Sequence, residues 1–72
     1  MATPAAVQAA LSTNPMGAKI VRAVEQLTAD ATKAAYYVIG NVDARGRARW
    51  CTCNVADSAA VQAASILTQL RA

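Results

Sequence analysis

Between positions 45 and 53 the chain reads RGRARWCTC, and here residue types capable of chemistry recur at short spacing. The Cys51-x-Cys53 pair invites a metal reading. Zinc takes four ligands, mostly thiolates and imidazoles, and the chain holds two cysteines and no histidine. Four thiols could meet only if two copies joined face to face. On a strand the two thiols point the same way at a separation poorly suited to an S–S bond. Without an imidazole neither has a base to activate it as a nucleophile. Both are therefore expected to be reduced, buried and small, the common fate of free cysteine.

Arg45, Arg47 and Arg49 are the stronger candidates. Their planar guanidinium forks suit phosphate or carboxylate, and Asp43 is the only nearby acid. A solvated loop with an Asp43–Arg47 cross-strand pair is the competing assignment, because exposed ion pairs contribute little. Trp50 beside these arginines could stack on a nucleobase or anchor a protein contact. It could equally lie over the side-chain-free Gly40 and pin the strand register. The candidate ligand or partner site is thus Arg45, Arg47, Arg49 and Trp50. No catalytic residue, metal site or cofactor is expected. The four carboxylates fall on different expected elements, and Gly17, Gly40 and Gly46 stand singly rather than in a phosphate-binding loop.

The element that must hold this site is residues 35–55, AYYVIGNVDARGRARWCTCNV, which reads as one β-hairpin turning at Asp43-Ala44-Arg45-Gly46. With Asp43 facing Arg47, the register puts Gly40 opposite Trp50, Ile39 opposite Cys51 and Tyr37 opposite Cys53. One face then carries Ala35, Tyr37, Ile39, Cys51, Cys53 and Val55, running out into Arg47 and Arg49. The other carries Tyr36, Val38, Gly40, Val42, Ala48, Trp50 and Thr52.

Thr3-Pro4 supplies a cap and a tolerated first-turn proline for a helix over 4–11. Asn14-Pro15 repeats that signal. Met16, Ile20, Val24 and Leu27, with Ala23, then fall at helical spacing and predict a second helix over 15–27. A boundary belongs near 29–32, with TADATK either extending that helix or forming a connector. Asp57 is the expected cap of a last helix running to about Arg71, whose wide apolar side calls for more than one neighbour. The prediction is one α+β domain over 1–72, helix-helix-hairpin-helix, with a two-stranded antiparallel ribbon packed by alanine-rich helices.

A chain of 72 residues with a 56% apolar share but no phenylalanine has few large core groups. Domains this small bury only about 60% of their unfolded surface and usually need a staple or a partner. A lone hairpin is marginal in water, and helices can cover one side of it. The second side predicts a homo-oligomer, most simply a dimer. With no apolar leader after Met1 and no stretch long enough to span a bilayer, the expectation is a cytoplasmic chain without a membrane role. Seven basic against four acidic residues leave a surplus of three, compatible with nucleic acid but too small to require it.

In size and element order the chain resembles small phage- or prophage-encoded accessory proteins. That resemblance implies a compact, non-catalytic oligomer that occludes a host protein or sequesters a small anionic or nucleotide ligand. Two alternatives stand beside it. One is a nucleic-acid-binding regulator reading with a dimeric β-ribbon through Arg45, Arg47 and Arg49. The other is a structural or assembly component.

Overall fold

The computed structural model describes residues 2–14, 16–24, 30–42 and 45–72. Helix α1 (Pro4–Ser12) leads into strand β1 (Lys19–Val24), a long hairpin of β2 (Lys33–Val42) and β3 (Arg45–Asn54), and helix α2 (Ala59–Arg71). The three strands form one antiparallel sheet in the order β1-β2-β3. Fold class and hairpin agree with the sequence reading. The second helix does not form: its described part is the edge strand β1, so the ribbon is three-stranded.

Two local causes explain that strand. Asn14 does not cap a helix; its side-chain oxygen accepts from the Met16 N–H at 3.0 Å, closing a turn. Gly17 follows at φ 64°, a left-handed conformation that breaks helical propagation. Beyond it Ile20 and Val21 are β-branched and fit a pleated surface better than a helix. Pro15, residues 25–29 with Leu27, and Asp43 and Ala44 lie outside the described residues. Of the expected connector, Asp30–Lys33 forms a turn: the Asp30 carboxylate accepts from both the Thr32 N–H and hydroxyl, at 2.9 and 2.6 Å.

Helix α1 begins as predicted, with the Ala6 N–H donating to Thr3 Oγ1 at 3.1 Å. For α2 the cap is Ser58 rather than Asp57; its hydroxyl accepts from the Val61 N–H at 3.3 Å. Val7 and Leu11 of α1 and Ala63, Ile66 and Leu70 of α2 join Tyr36, Val38, Val42, Cys51 and Cys53 in one buried cluster. Both helices therefore lie on the same side of the sheet.

The hairpin register differs from the predicted one by three residues. Tyr36 faces Cys51, Tyr37 faces Trp50, Gly40 faces Arg47 and Val42 faces Arg45. An odd shift exchanges the faces of one strand relative to the other. Cys51 and Cys53 consequently share the helix side with Tyr36 and Val38, while Trp50 joins Tyr37 and Ile39 on the opposite side. Pairing closes at Val42 and Arg45, leaving two residues between them rather than a turn centred further along.

Gly40 is not the seat of Trp50. A Cβ there would stand 3.0 Å from Leu70 Cδ1 and 3.2 Å from Ala18 Cβ, so the missing side chain is what lets the end of α2 and the α1–β1 turn close on the central strand. We expect Gly40→Ala to destabilise the fold by about 1–2 kcal/mol through overpacking. Gly46→Ala, whose Cβ would meet nothing nearer than 3.9 Å, should be neutral or slightly stabilising. Urea unfolding followed by Trp50 fluorescence separates the two, and equal stabilities would contradict this packing.

Candidate functional site

The uncovered side of the sheet holds the chemistry-bearing groups that the fold gathers. Across it runs one row, Arg22 on β1, Tyr37 on β2 and Trp50 on β3, each in register with the next. The Tyr37 and Trp50 rings are tilted at 54° with centroids 5.5 Å apart. The Arg22 guanidinium carbon stands 5.5 Å from the Trp50 centroid, reaching over Tyr37 from two strands away. Outer strands of a three-stranded set lie about 10 Å apart, a span that the long arginine side chain can bridge. The cation meets the electron-rich ring face, worth about 0.5–1 kcal/mol in an exposed setting.

A bulge sets this row. Ile20 pairs with Val38 and Arg22 with Tyr37, so one extra residue, Val21, sits between two positions that oppose consecutive partners. Without it Ile20 and Arg22 would share a face. With it Ile20 packs against the core and Arg22 turns to the open side. Val21 itself, at 53% exposure, joins Ile39 at 38% and Trp50 at 44% among the large apolar residues in contact with solvent. Lys19, opposite Ile39, adds a second cation to the same side.

The four residues marked out from the sequence do not form one constellation. Trp50 lies on the open face. Arg45, Arg47 and Arg49 alternate with it and project on the helix-bearing side, because their partners Val42, Gly40 and Val38 point that way. Arg49 is engaged: its Nη1 donates to the Gln69 carbonyl at 2.8 Å and the Ala72 carbonyl at 3.4 Å. It thereby satisfies carbonyls at the negative end of α2. Arg45 and Arg47 are exposed. The expected Asp43–Arg47 pair falls partly outside the described residues, and Arg47 itself faces Gly40. Arg22 and Tyr37 were not among the predicted site residues. The signal that could have found Arg22 is the Ile20-Val21 pair after a lone glycine, which favours a strand over the helix that its spacing imitates.

Helix α2 covers both cysteines, so a second hairpin cannot approach them face to face. Cys53 Sγ lies 3.8 Å from the Gln62 carbonyl. Burial, with help from Cys51 and Asp57, pushes the Cys53 thiol up to about 11. Burial likewise raises Cys51, against the opposing pull of Arg49, and raises the Tyr36 phenol, whose hydroxyl donates to Gln62 Oε1 at 3.0 Å. Among the described residues no group of three or more Cys, Asp or Glu gathers, and no helix is long and apolar enough to cross a membrane. No family model, curated protein or solved structure matches the chain.

The raised thiol and phenol groups have one sign: the folded chain keeps protons that the unfolded chain releases. Their contribution is complete below the ordinary thiol value of 9.0 and is lost as pH climbs toward 11. Urea midpoints should therefore fall between about pH 9 and 11, and less steeply in Cys53→Ala than in the parent. A flat profile in the parent would contradict buried, neutral thiols. Ellman's reagent should label native protein much more slowly than unfolded protein.

Proposed function

We propose that this chain is a non-enzymatic binding protein that works through the open face of its sheet, with a second copy closing that face. The observation that carries the reading is the Arg22–Tyr37–Trp50 row. Two aromatic rings and an arginine converge there beside Ile39 and Val21, on the one side that the helices leave bare. An antiparallel sheet tolerates a solvated face when that face is polar. This one presents aromatic and β-branched groups, the make-up of a contact hot spot. Joining two such faces shelters them and leaves Arg45 and Arg47 on the outside of the assembly. From there they can meet a carboxylate- or phosphate-bearing partner, and the mechanism is occlusion of that partner or sequestration of the ligand. Such a component is of the compact, non-catalytic kind that the resemblance to small phage- or prophage-encoded accessory proteins implies.

Sedimentation at tens of micromolar tests the reading. The parent should run as a dimer or larger, and Trp50→Ala or Ile39→Lys should shift it to monomer while the fold is retained by circular dichroism. A parent that stays monomeric at that concentration would remove the closed-face assembly.

The same row favours a second reading. An arginine and two aromatic rings on an open sheet are also the components of a base-stacking platform for single-stranded nucleic acid. This differs from the ribbon reading drawn from Arg45, Arg47 and Arg49, because Arg22 and Lys19 supply the charge. Affinity for an oligonucleotide should then fall linearly with salt on logarithmic axes, and Trp50→Ala should cost about 1–3 kcal/mol. Absence of a complex at low salt would eliminate it.

A further inference from the structure

We infer that the distal half of β3 is a docking edge for an extended acidic segment of another protein, which adds to the sheet as a fourth strand. β3 is an edge strand, and its backbone groups alternate between β2 and the outside. The phase is set by Val55, whose N–H donates to the Thr32 carbonyl at 2.8 Å, and by Thr52, whose N–H and C=O both face outward. Gln69 occupies Thr52 as a strand would. Its Oε1 accepts from the Thr52 N–H at 3.1 Å, and its Nε2 donates to the Thr52 carbonyl at 2.9 Å. By the same alternation, the N–H and C=O groups of Gly46, Ala48 and Trp50 point outward. Residues 45–50 are all exposed, and among the described residues nothing bonds the outward groups of those three. The edge β1 is blunted in a similar way, with the Ile20 N–H donating to Gln8 Oε1 of α1. Gly46, Ala48 and Trp50 thus form an open run of edge beyond the position that Gln69 fills.

Charge decides which occupant fits. A second copy pairing through this run would oppose arginine to arginine. With Ala48 on the two-fold axis Arg47 faces Arg49, and with Arg47 or Arg49 on the axis each faces itself. Registers centred on Trp50 need the Thr52 edge that Gln69 fills. Like charges directly opposite are destabilising, and edge cations are a familiar guard against self-pairing. A foreign strand with a carboxylate at every second position instead sets those groups beside Arg45 and Arg47. Its intervening side chains lie next to Trp50, and its backbone takes the outward N–H and C=O groups. This inference rests on the proposed reading in which Arg45 and Arg47 meet a carboxylate-bearing partner, but not on the closed-face assembly, since it uses the edge of the sheet and not its face.

The probe is an eight-residue capped peptide alternating glutamate with valine, followed by the fluorescence of Trp50, the chain's single tryptophan. We expect saturable binding. We also expect at least about tenfold weakening by the pair Arg45→Glu and Arg47→Glu, and recovery when that variant meets the matching lysine–valine peptide. N-methylation of the peptide amides that face β3 should abolish binding, while a peptide of the same composition with its glutamates in one block should bind at least about tenfold more weakly. Failure of the alternating peptide to bind, or equal binding of the blocked or N-methylated peptides, overturns the inference. So does an Arg45- and Arg47-dependent complex with a single-stranded oligonucleotide but not the peptide, or dimerisation that Arg45→Glu and Arg47→Glu alter.

Discussion

The close approach of α2 to the central strand at Gly40 is the constraint on which the other features depend. A glycine in mid-strand costs backbone entropy, and here it leaves room for the Leu70 methyl group and Ala18 where a Cβ would intrude. Leu70, Ile66 and Ala63 follow one another along the buried side of α2, and Val7 and Leu11 of α1 complete the cluster. With α1 and α2 committed to one side, no further helix among the described residues covers the other. The bare face is thus a consequence of where the glycine sits.

Glutamine side chains tie the layers together. Gln62 is 1% exposed, and its amide is fully used: Oε1 accepts from the Tyr36 hydroxyl, while Nε2 donates to the Asn54 and Asp57 carbonyls at 3.1 and 3.0 Å. An unpaired buried amide costs about 1–3 kcal/mol, whereas a satisfied one contributes little net energy and much positional specificity. It fixes the start of α2 against β2. Gln69 and the Arg49 contact fix the other end against β3, and Gln8 does the same for α1 on β1. These contacts also decide which stretches of strand edge are left open.

The bulge at Val21 and the two-residue gap between Val42 and Arg45 divide the side chains between the two surfaces. Because side chains alternate along a strand, one extra residue in β1 sends Arg22 to the aromatic face, and the pairing of Val42 with Arg45 sends Arg45, Arg47 and Arg49 to the other. The proposed activities follow that division: an aromatic face that also bears Arg22 and Lys19, and a cationic edge beyond the helices.

Local chemistry was legible in the residues themselves. Thr3-Pro4 marks the start of α1, two apolar arms about a turn signal mark a hairpin, and the wide apolar side of α2 foretells its two neighbours, because each depends on groups close together in the chain. The α+β class follows from them. What escaped was set by contacts distant in sequence. The 16–24 stretch is periodic enough for a helix, and only pairing with β2 makes it a strand. The register turned on pairing along the whole of β2 and β3, which no single residue type dictates, and with it went the grouping of Trp50 with Tyr37 and Arg22 rather than with Gly40. The observed register sets Cys51 and Cys53 under the helices and leaves the larger Trp50 on the open side, so side-chain size alone does not choose it; that choice is made by packing across the whole domain.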